Sequence, residues 1–300
     1  MQLGNYIMRG RLQAVAVITL LALVSFILSP FAYQLSGVPV GLITLRRGAV
    51  IGFQILIGCL FAMGLFVLLA QIPPQICLAF AVVIWLPVWL CSTALRSTGS
   101  QGIMVLVAGV IGIGFIVVMT MVTDNAAAWW QHWLDTWIEI TLPADLGFRY
   151  RQTLEPVMPL LNAMIAAGLV TSLVLTMFIA RWWQSGLFNP GGFGEEFRAL
   201  RLPRMLLVFA APALLLMMTS TEPLHSMLRD ILIITVFLYL FHGIAMVHRF
   251  VKKGNLSAAW LFGMYVVLFS VPQSVLFLAC LGIADSLLMW HGNPGRDNKT

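Results

Sequence analysis

The sequence predicts an all-α, polytopic transmembrane helical bundle of about eight to ten spans, with one amphipathic helix lying at the outer interface. Three observations predict it. Of 300 residues, 60% are hydrophobic and 9% are charged, with a mean hydropathy of +0.95, whereas about a quarter of a soluble domain is charged. Apolar runs close to the ~20 residues needed for one crossing recur along the chain. The basic residues gather between alternate runs, as membrane topology requires.

The runs occupy 12–29, 31–45, 49–70, 75–95, 102–122, 157–182, 203–219, 229–250 and 257–288. The first follows Arg9 and Arg11, as in a signal peptide. No small-residue cleavage site is clear behind it and further runs follow, so it reads as an uncleaved span. The run 31–45, behind Pro30, is about 22 Å long as a helix and fits a short span or a re-entrant hairpin. Counted as a span, it puts Arg9, Arg11, Arg46, Arg47, Arg96, Arg181, Arg198, Arg201, Arg204, Arg249, Lys252 and Lys253 on the N-terminal side. Arg149, Arg151 and Arg229 fall on the other, twelve against three with Arg296 and Lys299 of the tail left out. Skipped, it makes the asymmetry collapse. The reading is therefore nine spans in a single integral membrane domain, 1–290, multi-pass in a bacterial inner membrane with its N-terminus cytoplasmic.

The run 257–288 exceeds one crossing and contains Pro272. One long tilted helix and a two-helix hairpin both fit, and they put the C-terminus on opposite sides. The tail 291–300, HGNPGRDNKT, is polar and expected to be disordered.

The longest segment between spans, 123–156, falls outside. In TDNAAAWWQHWLDTWIEITLP, Trp129, Trp133 and Trp137 recur every four residues, as do Trp130, Leu134 and Ile138. Gln131, Asp135 and Glu139 take the opposite face. This is an amphipathic helix with Asp124 or Asn125 as N-cap and Pro143 behind it. Its aromatic face suits the headgroup boundary, either resting there or as a lid over an outward cavity.

The segment 184–203 falls inside and holds NPGGFGEEFRALRLPR, from Asn189 to Arg204. Its glycines precede no GK[ST], so a phosphate loop is disfavoured. Phe193, Phe197 and Leu200 share one helical face over 193–201. Glu195 and Glu196 lie in the first turn and Arg198 and Arg201 in later ones, as the helix dipole favours. Glu195 and Arg198 can pair at i, i+3, and Pro203 opens the next span. A topological anchor, the rim of an inner-face site, and a docking surface at 189–204 for another membrane or cytoplasmic subunit all fit.

An ionisable group inside a span is a functional candidate by default. The candidates are Asp285 in the last run, Asp230 at the start of its span, and His242 deeper with Tyr239 one turn before it. Tyr239, His242 and Asp285 form the candidate substrate-binding set, although a neutral His bonded between helices is the plainer reading. No HExxH, GxSxG or Asp-rich cluster occurs, which disfavours an enzyme, and no cofactor or metal is expected. Cys59, Cys77, Cys91 and Cys280 sit in apolar runs without CxxC spacing and read as small hydrophobes. The basic residues form no stripe for nucleic acid, so the lipid bilayer is the partner. Gly48 with Gly52, Gly109 with Gly112 and Gly114, and Ala163 with Ala167 offer close helix packing. Pro87, Pro212 and Pro272 offer kinks.

The stretches GFGEEFRALRLPRMLL, FHGIAMVHRFVKK and LFSVPQSVLFLACLGIADS resemble the C-terminal half of the YybS-like family of bacterial multispanning proteins. MRGRLQAVAV and TLRRG resemble its proteobacterial members. The resemblance implies a distant kinship, at the level of fold, with the substrate-binding S components of energy-coupling-factor transporters, though no S-component binding residue carries over by position. It also implies that Glu195, Arg198, Arg201 and Pro203 form a cytoplasmic motif and Asp285 a C-terminal one. The expected function is a permease-like or substrate-binding membrane subunit for a small molecule, without its own ATPase. The alternative is a non-transporting envelope scaffold.

Overall fold

A computed structural model gives the fold and describes residues 2–28, 32–123 and 125–291, which are helical with no strand among them. The chain opens with α1 (Gln2–Ile7) and α2 (Arg11–Leu28). After a 3-10 turn at Ala32–Ser36, α3 (Gly37–Arg47) runs through the interior, with every residue from Gly37 to Leu45 buried. Turn and helix together reach about 26 Å. The run 31–45 is thus a short helix enclosed by its neighbours.

Gly48 ends α3 with a φ of +100°, which only glycine adopts without strain, and α4 (Ala49–Leu69) turns back alongside. Gly48 is therefore a hinge, not the packing residue expected. Gly52 does pack, since a Cβ there would lie 2.3 Å from the Thr44 hydroxyl. Then α5 (Gln75–Ala79), a π-helical turn at Phe80–Trp85 and α6 (Leu86–Thr98) follow without a break. Pro87 lies in the first turn of α6 and cannot donate to the turn before it, and the widened winding absorbs that loss.

The rest follows as α7 (Gln101–Thr123), α8 (Ala126–Thr141), α9 (Ala144–Leu154), α10 (Leu161–Phe188), α11 (Gly192–Arg198), α12 (Met205–Thr219), α13 (Leu224–Lys253), α14 (Ala259–Ser270) and α15 (Ser274–His291). Helices α7, α10 and α13 make the central packing. A Cβ on Gly109 would come 2.4 Å from Leu238, and one on Gly112 2.3 Å from Val170. Ala163 and Ala167 are buried. Gly114, grouped with the packing glycines from sequence, has open space around it.

Among the described residues, five helical stretches are long and apolar enough to cross a membrane: Ala49–Leu69, Gln75–Thr98, Gln101–Thr123, Asp145–Phe188 and Leu224–Lys253. Four shorter apolar ones, at Arg11–Ser25, Met205–Thr219, Ala259–Ser270 and Ser274–Leu288, complete a polytopic bundle. The run 257–288 resolves into two helices divided at Val271–Gln273. At about 18 Å, α14 is shorter than a hydrocarbon core of ~30 Å. Beyond His291, the tail expected to be disordered lies outside the described residues.

Cations gather at one end of the bundle. Arg47 donates to the Met8 carbonyl, Arg96 donates to the Leu45 carbonyl, and Arg46 lies 4.2 Å over the Phe188 ring. There α1 docks on α10, with Gly4 against Trp183 and Leu187. Cys59 and Cys91 are buried as expected, whereas Cys77 is half-buried and Cys280 is exposed on the outer surface of the bundle.

The opposite end is built from α8 and α9. Asn125 caps α8 by accepting the Ala128 N–H at 3.0 Å, while Asp124, the other cap considered, lies outside the described residues. The aromatic stripes part company. Ile138 is 2% exposed and packs inward with Trp130 and Leu134, whereas Trp129, Trp133 and Trp137 are 42, 49 and 43% exposed. Asp135 and Glu139 lie on the polar face expected, with side chains 38 and 72% exposed. In addition, Arg151 of α9 pairs with both, at 2.7 and 3.1 Å. Helix α9 was not foreseen within 123–156.

Candidate functional site

The site begins with two glycines. Helices α13 and α15 cross where Gly243 meets Gly282. A Cβ on Gly243 would lie 1.8 Å from the Leu278 carbonyl oxygen, and one on Gly282 would lie 2.5 Å from that of Tyr239. Only residues without side chains allow backbones this close. The approach brings one turn of α13, Tyr239 to His242, against Asp285 and Ser286 of α15.

The resulting cluster is polar and buried. His242 is 1% exposed, and its Nε2 donates to the Asp285 carboxylate at 2.9 Å. The Ser286 hydroxyl lies 3.3 Å from His242 Nδ1, where it can donate. These two partners suit a neutral imidazole protonated on Nε2. Arg249 reaches the same carboxylate oxygen at 2.6 Å. One Arg and one Asp balance, so the cluster is held together by a charge-assisted pair. The Tyr239 ring stacks on His242, with centroids 6.1 Å apart and planes at 23°. The Tyr239 hydroxyl is buried and has no hydrogen-bond partner among the described residues. The three residues singled out from sequence, Tyr239, His242 and Asp285, therefore converge. Arg249 and Ser286 complete the set. In the sequence Arg249 is only one of the twelve cations on the N-terminal side, and nothing in its spacing points to Asp285.

The segment 189–204 joins this cluster. Arg249 uses its second nitrogen to donate to the Arg198 backbone carbonyl at 3.0 Å. The segment itself is set into the end of the bundle. Helix α11 is shorter than the expected 193–201, but the expected apolar face forms. Phe193 and Phe197 pack on Phe178 of α10, with centroids 5.9 and 5.3 Å away, and Leu200 and Leu202 are 1 and 4% exposed. The Arg201 carbonyl sits on Gly102, where a Cβ would come within 1.8 Å.

The acid that matters locally is Glu196. Its carboxylate receives Arg181 of α10 through both Nε, at 2.8 Å, and a terminal nitrogen, and it also receives the Gln101 amide at 3.3 Å. Glu195 is exposed and makes no ion pair among the described residues, so the Glu195–Arg198 pair expected at i, i+3 does not form. The Arg201 side chain is exposed, Arg198 contributes its carbonyl, and Pro203 is half-buried two residues before α12. Glu196→Gln is expected to loosen the segment, as increased protease cleavage within 189–204 of the purified protein, whereas Glu195→Gln leaves it as in wild type. A bidentate, part-buried pair is worth more than an exposed one at ~0–1 kcal/mol. Equal protection in both variants would remove Glu196 from this role.

A second polar network lies at the other end. Asp230, 2% exposed, accepts from Arg229 at 2.9 Å and from the Asn162 amide at 2.8 Å. The Asn162 oxygen accepts from Trp130 Nε1 at 3.2 Å. This chain ties the Trp-rich helix α8 to α10 and α13. Among the described residues, no group of three or more His, Cys, Asp or Glu is placed to hold a metal ion.

Residues 140–286 match the model of a family described as a predicted membrane protein, DUF2232. The matched stretch contains Asp230, Tyr239, His242, Arg249, Asp285 and Ser286. No curated protein and no solved structure matches the chain. These comparisons fit a multi-pass membrane protein and do not extend to the YybS-like resemblance or to S components.

Proposed function

We propose that the protein is a permease-like or substrate-binding membrane subunit for a small molecule, with no ATPase of its own, and that the segment 189–204 plugs its inner end over the polar cluster. The supporting observation is Arg249, which holds the Asp285 carboxylate with one nitrogen and the Arg198 carbonyl with the other. A change at the plug thereby reaches the Tyr239, His242 and Asp285 site directly. In this reading the plug's outer surface, with Glu195 and Arg201, is where a cytoplasmic partner acts, and energy comes from that partner. No chemical step is assigned to the cluster.

The basic end faces the cytoplasm in this proposal, following the twelve-to-three asymmetry. With the four native cysteines replaced, a cysteine at position 190 is expected to label only from the inner side and one at 127 only from the outer side. External labelling at 190 would reverse the orientation.

A second reading, a non-transporting scaffold, is favoured by the Asp230–Asn162–Trp130 chain, whose polar groups satisfy one another. The two differ in whether water reaches the cluster. In the same background, Ser286→Cys is expected to react with a water-soluble thiol reagent from the basic end. Adding Arg249→Gln should speed the reaction about tenfold, since a charged hydrogen bond is worth ~1.5–3 kcal/mol. No reaction in either variant, with a cysteine at 190 reacting normally, would exclude the plug and leave the scaffold.

A further inference from the structure

Helix α14 rests on the bundle by one face only, with Met264, Tyr265 and Leu268 against Leu240, Ile244 and Leu278. It has no buried residue and is tethered by few polar contacts, such as Tyr265 hydroxyl to His248 at 2.9 Å and the Ser274 hydroxyl to the Val267 carbonyl at 3.4 Å. Between α13, α14 and α15 this leaves a groove of about 750 Å³. Its wall includes Val247 and Val251 of α13, Met264 of α14 and Leu281 of α15. The one hydroxyl in the wall, Ser274, donates its proton to the Val271 carbonyl at 2.6 Å, which leaves the wall almost wholly apolar. Phe250, Trp260 and Phe277 at its rim are 64, 67 and 66% exposed, so the groove opens sideways from the bundle. A groove of this composition stays dry and takes hydrocarbon.

The helix that supplies one wall ends in cations. Lys252 and Lys253 close α13 directly after the lining residue Val251; both are exposed and make no ion pair among the described residues. They belong to the cation-rich end of the bundle, and they follow in sequence the α13 residues Phe250 and Val251 that line the groove with Trp260. Lys and Trp at the end of an apolar surface are suited to the headgroup level of a bilayer.

We propose that this groove is a binding site for an anionic phospholipid, with an acyl chain between α13, α14 and α15 and the headgroup phosphate at Lys252 and Lys253. Charge complementarity selects the headgroup, and the apolar wall takes the chain. The site is independent of the polar cluster and of the transport reading.

The test uses the full chain in nanodiscs with phosphatidylglycerol or phosphatidylcholine carrying a photoreactive group on one acyl chain. The phosphatidylglycerol probe is expected to label α14 and the facing residues of α15 well above the exposed α12. Unlabelled phosphatidylglycerol should compete and phosphatidylcholine should not. Lys252→Glu with Lys253→Glu is expected to cut labelling by the anionic probe about thirtyfold or more, in line with two surface cations each worth ~1 kcal/mol toward anionic lipid. Gly263→Leu gives a variant that fills the groove without a clash, since a Cβ at Gly263 meets nothing within 4 Å. It should abolish labelling by both probes while the melting temperature holds. Labelling spread equally over α12 and α14, equal labelling by both probes, or cross-links to a protein segment in place of lipid would each overturn the proposal.

Discussion

Gly243→Ala is expected to remove most of the folded protein from the membrane. The added methyl would lie 1.8 Å from the Leu278 carbonyl oxygen and 2.7 Å from its carbon, both backbone atoms of the facing helix. No rotamer change relieves such a clash, so α15 must move away from α13. That displacement would also pull Asp285 from His242 and Arg249. Overpacking of a core typically costs about 1–3 kcal/mol, and a backbone-to-backbone clash belongs at or above the top of that range. Gly168→Ala is the matched control, because a Cβ there meets nothing within 4 Å. It should be neutral or gain up to ~1 kcal/mol from helix propensity. The comparison is made by heating detergent-solubilised protein and measuring the fraction that remains monodisperse. If the two variants melt together, the close crossing of α13 and α15 is wrong.

Asp285→Ala carries the second large effect. It leaves the Arg249 guanidinium and the His242 N–H without their shared acceptor, with side chains 24 and 1% exposed. Breaking a buried ion pair from one side costs about 3–5 kcal/mol, and the partial exposure of Arg249 puts this case toward the lower figure. Asp285→Leu combined with Arg249→Leu should be less harmful than Asp285→Ala alone, because neither charge is then stranded. The double variant also loses the hold on the Arg198 carbonyl, so its 189–204 segment should still be cleaved faster than in wild type. Stability together with looseness would separate the fold's need for a balanced cluster from the plug's need for Arg249. A double variant no more stable than Asp285→Ala would deny that stranded charge is the cause.

Part of this arrangement was legible from the residues. The i, i+4, i+7 spacing of Phe193, Phe197 and Leu200 foretold the buried face of the 189–204 segment, since helical periodicity is a local property. Asn125 was legible as a cap for the same reason. One failed pair and one unforeseen partner share a cause. Glu195 and Arg198 are well spaced for a helix pair, yet Arg181 of α10 lies next to Glu196 and a part-buried bidentate contact forms there. Asp135 and Glu139 form a polar face, yet α9 folds back to set Arg151 between them. A local pattern says which residues share a face and not what that face meets.

By itself the sequence determined the class of the protein: an all-helical, multi-pass membrane bundle with its cations drawn to one end. These features follow from quantities summed over neighbouring residues, namely the apolar length needed to cross a bilayer and the charge between crossings, and no particular contact enters the sum. Only the tertiary structure decided that His242, Arg249 and Asp285 meet, residues 43 and 36 positions apart in their two pairs. Hydrogen bonds require placement to within an ångström, and that placement was set by Gly243 and Gly282. Nothing in the chain's hydropathy distinguishes a glycine at a helix crossing from one facing open space, as Gly114 and Gly168 do.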